Sequence, residues 1–229
     1  KLETLRYVFA SGEALTPVHV AGFHRLITPA GEAQIINLYG PTEATIDVSY
    51  FECEAGETLN SVPIGKPISN IQLYIVHPES EYFQPLGVAG ELCIAGDGLA
   101  RGYLNRPELT AEKFAAHPYK AGKLMYRTGD LAKWLPDGNI EYLGRIDHQV
   151  KIRGYRIELG EIEASLLQLD AVKEAVVIAI EKEGSKQLCA YLSGDESLNT
   201  AQLKRHLLNN LPTYMIPAYF VQVENMPIT

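Results

Sequence analysis

At Gly154 the spacing of apolar residues changes its period. Ahead of it, Val150 and Ile152 alternate with Gln149, Lys151 and Arg153, the two-residue repeat of a half-buried strand. Behind it, Leu159, Ile162, Leu166 and Leu169 fall on one stripe of a 3.6-residue helix. Glu158, Glu161 and Glu163 crowd its first turn, where the positive end of the helix dipole favours them. Strand, turn and helix in that order begin a new folding unit, so the 229 residues are expected to hold more than one core.

Upstream, residues 5–9 read as a strand, Ser11-Gly12-Glu13-Ala14-Leu15 as the turn out of it, and Pro17 as the start of a helix with Val20, Phe23 and Ile27 on one face. Residues 34–38 and 46–51 read as two further strands. Strand, helix, strand is an α/β signature, and such folds place ligands at strand ends. After Pro63 short strands at 72–76, 91–95 and 138–142 lie between glycine and proline turns, the mark of a strand-rich subdomain. Residues 107–114 read as a short surface helix, with Thr110-Ala111-Glu112-Lys113 on its solvated face. Downstream come strands at 172–180 and 188–192 joined by Lys182-Glu183-Gly184-Ser185. A helix opening at Asn199 or Thr200 follows, carries Leu203, Leu207 and Leu211, and is stopped by Pro212. The expected architecture is α/β for residues 1–62, strand-rich for 63–146, and a separate α+β domain for 147–229.

The formal charge of -8 argues against a general nucleic-acid surface, although Lys151, Arg153 and Arg156 can still meet a single phosphate. Cys53, Cys93 and Cys189 are odd in number and far apart, which fits reduced thiols in a cytoplasmic setting and neither a disulfide framework nor a metal knuckle. Cys93 has no histidine near it in sequence and sits in an apolar strand, which disfavours a thiolate nucleophile. No run of about 20 apolar residues can cross a membrane. The histidines lack metal-ligand spacing, and no GxSxG elbow occurs. The opening strand needs sheet neighbours that nothing ahead of it supplies, so the chain reads as a fragment.

Asn37-Leu38-Tyr39-Gly40-Pro41-Thr42-Glu43 offers a ring for a base, a hydroxyl for a phosphate and a carboxylate for Mg²⁺ within a few residues at a strand end. By itself the string is equally an ordinary Gly-Pro turn. Tyr126-Arg127-Thr128-Gly129-Asp130-Leu131 holds a carboxylate that can accept two hydroxyls or cap a turn. The glycine-punctuated stretch from Gly90 to Leu104 reads mainly as structure, with Arg101 organising local acceptors.

Together with Gly144-Arg145-Ile146-Asp147 and the segment through Glu163, these strings resemble the core motifs of adenylate-forming enzymes, in wording those of the adenylation domains of non-ribosomal peptide synthetases. The resemblance covers essentially the whole chain. It implies that Tyr39 lies against adenine, Thr42 touches the α-phosphate and Glu43 binds Mg²⁺. Gly12, Glu13 and Ala14 would line adenine, Asp130 would hold both ribose hydroxyls, and Tyr142 and Arg145 would stand near the nucleotide. Phe9, Ser11, Leu38, Ile46 and Asp47 would form the side-chain pocket, where the Asp47 carboxylate favours a cationic or hydroxyl-bearing amino acid. Asp147 would be the hinge before a mobile small domain, and Lys151, Arg153 and Gly154 would belong to the face used in thioester transfer.

The implied reaction joins an amino-acid carboxylate to ATP, releasing pyrophosphate, and then passes the acyl group from the adenylate to the phosphopantetheine arm of a carrier domain, releasing AMP. The implied partners are that peptidyl carrier domain, the preceding portion of the same adenylation domain and a condensation domain, with no nucleic acid and no membrane. The family's phosphate-wrapping loop is expected upstream of Lys1. Leu211-Pro212-Thr213-Tyr214-Met215-Ile216-Pro217 matches the penultimate motif, and the adenylation lysine is expected beyond Thr229. The 229 residues alone are therefore expected to be inactive. An acyl-CoA or aryl-acid ligase is the alternative within the superfamily, disfavoured by the wording of Gln149 to Glu161 and Leu211 to Pro217. A noncatalytic interaction module or remnant is the alternative outside it.

Overall fold

The computed structural model describes residues 4–27, 33–57, 59–147, 149–182, 185–194 and 199–226; the expected turn at Glu183-Gly184 lies outside them. The chain forms two compact units, Lys1–Asp147 and His148–Thr229. No described helix is long and apolar enough to cross a membrane.

In the first unit, β1 (Tyr7–Ala10) and β2 (Gln34–Tyr39) pair in parallel, with helix α1 (Pro17–Leu26) between them in sequence. Thr16 caps α1 by accepting a hydrogen bond from the His19 N–H, and Pro17 fills the first turn, where its missing donor costs nothing. Val20 of α1 packs with Ile35, Cys53 and Val62. Strand β3 (Ser49–Cys53) pairs antiparallel with β2, and β4 (Lys66–Pro67) extends the sheet by pairing antiparallel with β3. The third strand starts later than the expected residue 46, because Thr45 and Ile46 take φ of 61° and 75°. β-Branched residues avoid that region, so surrounding contacts must hold it. Thr45 Oγ1 donates to the Gly98 carbonyl at 2.6 Å, and the Val48 N–H returns to the Tyr39 carbonyl at 2.7 Å. Gly40 lies beneath this loop, where an added Cβ would stand 2.2 Å from the Ile46 carbonyl oxygen.

The strand-rich part is an antiparallel sheet ordered β5 (Ile71–Val76), β6 (Gly90–Gly96), β8 (Leu124–Trp134), β7 (Phe114–Ala116), with β9 (Ile140–Arg145) also on β8. Leu92 and Ile94 face a core with Leu73, Ile75, Tyr126 and Ile140, while Cys93 and Ala95 face Val76 and Met125. Both faces of β6 are thus covered, which is why it reads as an unbroken apolar run. Helix α2 (Pro107–Lys113) stops one residue before the expected 114, and Phe114 is buried as the first residue of β7. Thr110 is part of no plain solvated face: its Oγ1 accepts from the Tyr103 N–H at 2.9 Å and donates to the Arg106 carbonyl at 2.8 Å.

The second unit opens with the hairpin β10 (Val150–Ile152) and β11 (Tyr155–Ile157), then helix α3 (Leu159–Leu166). Strands β12 (Val172–Lys182) and β13 (Ser185–Gly194) pair antiparallel, helix α4 (Thr200–Asn210) follows, and β14 (Tyr219–Gln222) joins β13 in parallel. Ile157, Ile162, Leu166, Leu192, Leu203 and Leu207 share one core. Three sequence expectations change. Gln149 is buried rather than grouped with Lys151 on a wet face, because it donates to the Glu158 carboxylate and accepts from Arg156 Nε. Helix α3 ends at Leu166, and Leu169 reaches the same core from the following turn. Glu163 is not in the first turn; its Oε1 accepts the Val177 N–H at 2.8 Å, tying α3 to β12.

Leu166 is fully buried and its neighbour Leu167 is 47% exposed. Leu166→Ala is expected to lower unfolding free energy by about 2–5 kcal/mol, whereas Leu167→Ala stays within about 1 kcal/mol. Urea denaturation of the two variants checks the helix phase; equal losses would reject it.

His117 is 5% exposed, with its ring edge-on to Tyr74 at 5.0 Å. Its Nδ1 accepts the Tyr119 N–H at 3.1 Å, and burial, followed by the Lys120 ammonium, holds its pKa below the ordinary imidazole value. A folded pKa below the unfolded one contributes stability that is present above about pH 6.5 and lost as pH falls through the folded value. His117→Asn, which keeps an acceptor but cannot charge, is expected to flatten the acid limb of stability measured by urea midpoints from about pH 7 to 5.

Candidate functional site

Strand β2 ends at Tyr39, and the 3₁₀ turn Thr42–Ala44 follows at once, so ring, hydroxyl and carboxylate emerge from one strand end. Glu43 is 8% exposed, and its Oε1 accepts the Tyr103 hydroxyl at 2.7 Å. The Glu43 backbone carbonyl also takes the Ala100 N–H at 2.8 Å, so the stretch assigned to structure from sequence holds both the backbone and the side chain of Glu43. Among the described residues no three His, Cys, Asp or Glu side chains gather as a metal cluster. One anchored carboxylate suits Mg²⁺, which keeps waters and takes further oxygens from substrate phosphates.

Strands β8 and β9 place Asp130 opposite Arg145. Arg145 Nη1 lies 3.0 Å from Asp130 Oδ1, while Nε and Nη2 grip Asp147 at 2.7 and 2.5 Å. The Tyr39 hydroxyl donates to Asp130 Oδ2, and the Tyr142 ring stands 6.4 Å from that of Tyr39. Burial, with the Asp130 charge added, holds the Tyr39 phenol well above its usual range. Burial and the same carboxylate push Tyr142 up to about 12. For Arg145 burial acts downward, but the hydrogen bonds and charges of Asp147 and Asp130 outweigh it, so its pKa rises and it stays cationic. Both phenols thus stay protonated, and one guanidinium bridges two carboxylates.

Ser11 follows β1 and Asp47 follows the strained loop; the Ser11 hydroxyl donates to Asp47 Oδ1 at 2.7 Å. Phe9 is 60% exposed and Ile46 71%, with Leu38 half-buried on β2 between them in sequence. Gly12, at φ 92°, turns the chain through Glu13 and Ala14, all on the surface, as is Thr42. Lys151, Arg153 and Gly154 belong to the second unit. Arg153 and Gly154, at φ 53° and 78°, form the two-residue tip of the β10–β11 hairpin, the backbone that tight hairpins demand. Beside that tip Tyr155 stacks on Tyr214 with centroids 4.2 Å apart.

The structure therefore joins Tyr39, Asp130, Tyr142, Arg145 and Asp147 into one network and Ser11 with Asp47 into a second. Sequence reasoning missed Tyr103 and the Arg145–Asp147 pair. The two-residue separation of opposite charges was the one available signal for the pair; nothing in sequence marks Tyr103 as the donor to Glu43.

A family model described as AMP-binding enzyme matches residues 1–104, and one described as AMP-binding enzyme C-terminal domain matches residues 161–229. A mycosubtilin synthase polypeptide of Bacillus subtilis is 69% identical over 229 residues, which are 100% of this chain and 9% of that protein. Tyrocidine synthase 3 of Brevibacillus parabrevis is 54% identical over 227 residues, 99% of this chain and 3% of that one. Among solved structures, a holo NRPS protein containing adenylation and PCP domains, bound to a vinylsulfonamide inhibitor, aligns with a TM-score of 0.85 at 30% identity over 98% of this chain and 38% of that one. The Vibrio cholerae adenylation domain AlmE, in complex with glycyl-adenosine-5'-phosphate, gives 0.84 at 30% identity over 99% and 43%. The chain thus spans a small part of the synthases and less than half of the solved chains, and it shares the fold of the latter. It belongs to the AMP-binding enzyme family, and its likeness there runs to the adenylation domains of non-ribosomal peptide synthetases.

Proposed function

We propose that this chain is part of an enzyme that activates an amino acid with ATP and hands it to a carrier domain in non-ribosomal peptide synthesis. The observation that carries the reading is Asp130: a buried carboxylate whose two oxygens already accept an O–H from Tyr39 and an N–H from Arg145. Two ribose hydroxyls are donors of the same kind, and a carboxylate is their bidentate acceptor. Tyr39 and Tyr142 supply rings for the adenine, and the Thr42 hydroxyl donates to the α-phosphate. Arg145 adds positive charge beside ribose and phosphate. Gly12, Glu13 and Ala14 border the base. Glu43 would hold Mg²⁺, which when bound neutralises phosphate charge.

The substrate carboxylate attacks the α-phosphorus, the bond to pyrophosphate breaks, and an aminoacyl adenylate remains. A phosphopantetheine thiol then attacks the acyl carbon and AMP leaves. Asp147 is the proposed hinge, and the hairpin residues Lys151, Arg153 and Gly154 are proposed for the face that serves this second step. The solved adenylation and PCP protein supports a carrier domain as partner; the preceding portion of the adenylation domain and a condensation domain are further proposed partners.

The Ser11–Asp47 hydrogen bond sharpens the substrate class. A carboxylate taking a neutral hydroxyl at 2.7 Å, with Phe9, Leu38 and Ile46 as the other proposed pocket residues, favours a hydroxyl-bearing side chain that can join the same hydrogen-bond chain. Set in the full-length protein, the site is expected to prefer hydroxyl-bearing amino acids in ATP–pyrophosphate exchange across the proteinogenic set. Asp47→Asn should lower that preference; a preference for leucine or valine that Asp47→Asn leaves untouched would overturn the assignment.

Asp130→Ala in the same protein is expected to raise the KM for ATP by about tenfold or more, because hydrogen bonds to a charged group contribute about 1.5–3 kcal/mol. Unchanged ATP dependence would reject the ribose role.

A further inference from the structure

We propose that Glu91, on the neighbouring strand β6, is a positioning residue for Asp130 and thereby for recognition of the ribose. This inference rests on the ribose reading given under the proposed function. Between β6 and β8 the ladder is irregular: Glu91 faces Leu131 and Cys93 faces Arg127, so Thr128, Gly129 and Asp130 all bulge opposite Leu92. Asp130 is paired with Arg145 on its β9 side, but on its β6 side it sits on backbone that the regular ladder does not hold.

Side chains supply what the ladder lacks. The Gly129 N–H donates to Glu91 Oε1 at 3.0 Å, and the Asp130 N–H donates to Thr128 Oγ1 at 2.9 Å. Thr128 Oγ1 in turn donates to the Leu92 carbonyl at 2.6 Å, and the Gly129 carbonyl accepts the Ile146 N–H at 2.8 Å. Glu91 is 6% exposed, and its other oxygen, Oε2, is fixed by Arg127 Nε at 2.8 Å and Nη2 at 2.5 Å. Arg127 is itself tied to the Pro78 carbonyl at 2.9 Å. The carboxylate cannot swing away from Gly129 without breaking that grip.

The bulge also has no room to slide. Gly129 stands at φ 73°, and a Cβ there would lie 2.8 Å from both Arg145 Nη2 and Asp147 Oδ2. The peptide is thus clamped between Glu91 on one side and the Arg145–Asp147 pair on the other. Buried backbone donors must be paired, so losing Glu91 frees the Gly129 N–H and lets the next residue, Asp130, leave the orientation that meets two hydroxyls. Bulges recur next to active sites for this purpose, re-aiming a side chain.

The test compares ATP with 2′-deoxy-ATP in amino-acid-dependent pyrophosphate exchange by the full-length protein, because fold damage alone does not erase a preference for one ribose hydroxyl. The wild type is expected to prefer ATP by about tenfold or more, and Asp130→Ala to lose that preference. Glu91→Ala should shrink it to about threefold or less, through a raised KM for ATP with kcat changed less. If Glu91→Ala does not fold, Glu91→Asp carries the test, since it keeps the charge beside Arg127 but shortens the reach to Gly129 and should also lose discrimination. Full discrimination in the Ala or Asp variant while Asp130→Ala has lost it would overturn the role of Glu91 alone. Full discrimination in Asp130→Ala would overturn the ribose reading itself.

Discussion

One guanidinium holds the site together. Arg145 is shared between Asp130 and Asp147, and its side chain is only 15% exposed. Two carboxylates this close repel, and each resists leaving water; a cation with planar, forked donors offsets both effects at once. Removing Arg145 would leave the buried Asp130 uncompensated, at a cost of about 3–5 kcal/mol, whereas Asp147, with a side chain 43% exposed, is screened by water. Lysine would not serve, because a point charge cannot grip Asp147 through two nitrogens and still reach Asp130 with a third.

That arrangement explains why the nucleotide-site candidates and the proposed hinge residue lie in one network. Tyr39 comes from the end of a strand in one sheet, and Asp130 and Arg145 come from paired strands in the other. A change in what Asp130 binds therefore alters what Arg145 experiences, and Arg145 is the ion-pair partner of Asp147. The proposed ribose site and the last residue of the first unit are coupled through Arg145.

The loop after Tyr39 shows the opposite economy, in which backbone strain is accepted for placement. Thr45 and Ile46 stand at positive φ, and the loop closes over Gly40 so tightly that no side chain fits there. Contacts from Gly98 and Ala100 keep it in place. The result brings Asp47 within 2.7 Å of Ser11, a residue 36 positions earlier in sequence. The stretch from Gly90 to Leu104 is thus more than a scaffold of turns: it supports Glu43 through Tyr103 and the strained loop through Gly98.

Much of the fold is legible in the sequence. The change of period at Gly154 falls at the tip of the hairpin that opens the second unit, Leu203 and Leu207 mark its last helix, with Leu211 just past its end, and the motif strings pointed to Tyr39 and Asp130, whose side chains meet. Those signals are local, set by the repeat of a helix or strand and by residues adjacent in the chain. What sequence could not supply is which distant groups meet. Gln149 alternates like a surface residue yet is buried, because Glu158 and Arg156 satisfy its amide. The third strand begins late because tertiary contacts hold two β-branched residues where their own preference would not. In sequence Glu91 is one polar residue of an apolar strand; only the neighbouring bulge opposite Leu92, created by pairing between strands more than thirty residues apart, gives its carboxylate a backbone N–H to hold. Periodicity is written along the chain, whereas hydrogen-bond satisfaction and ion pairing are settled across it, and the latter decided the geometry of the site.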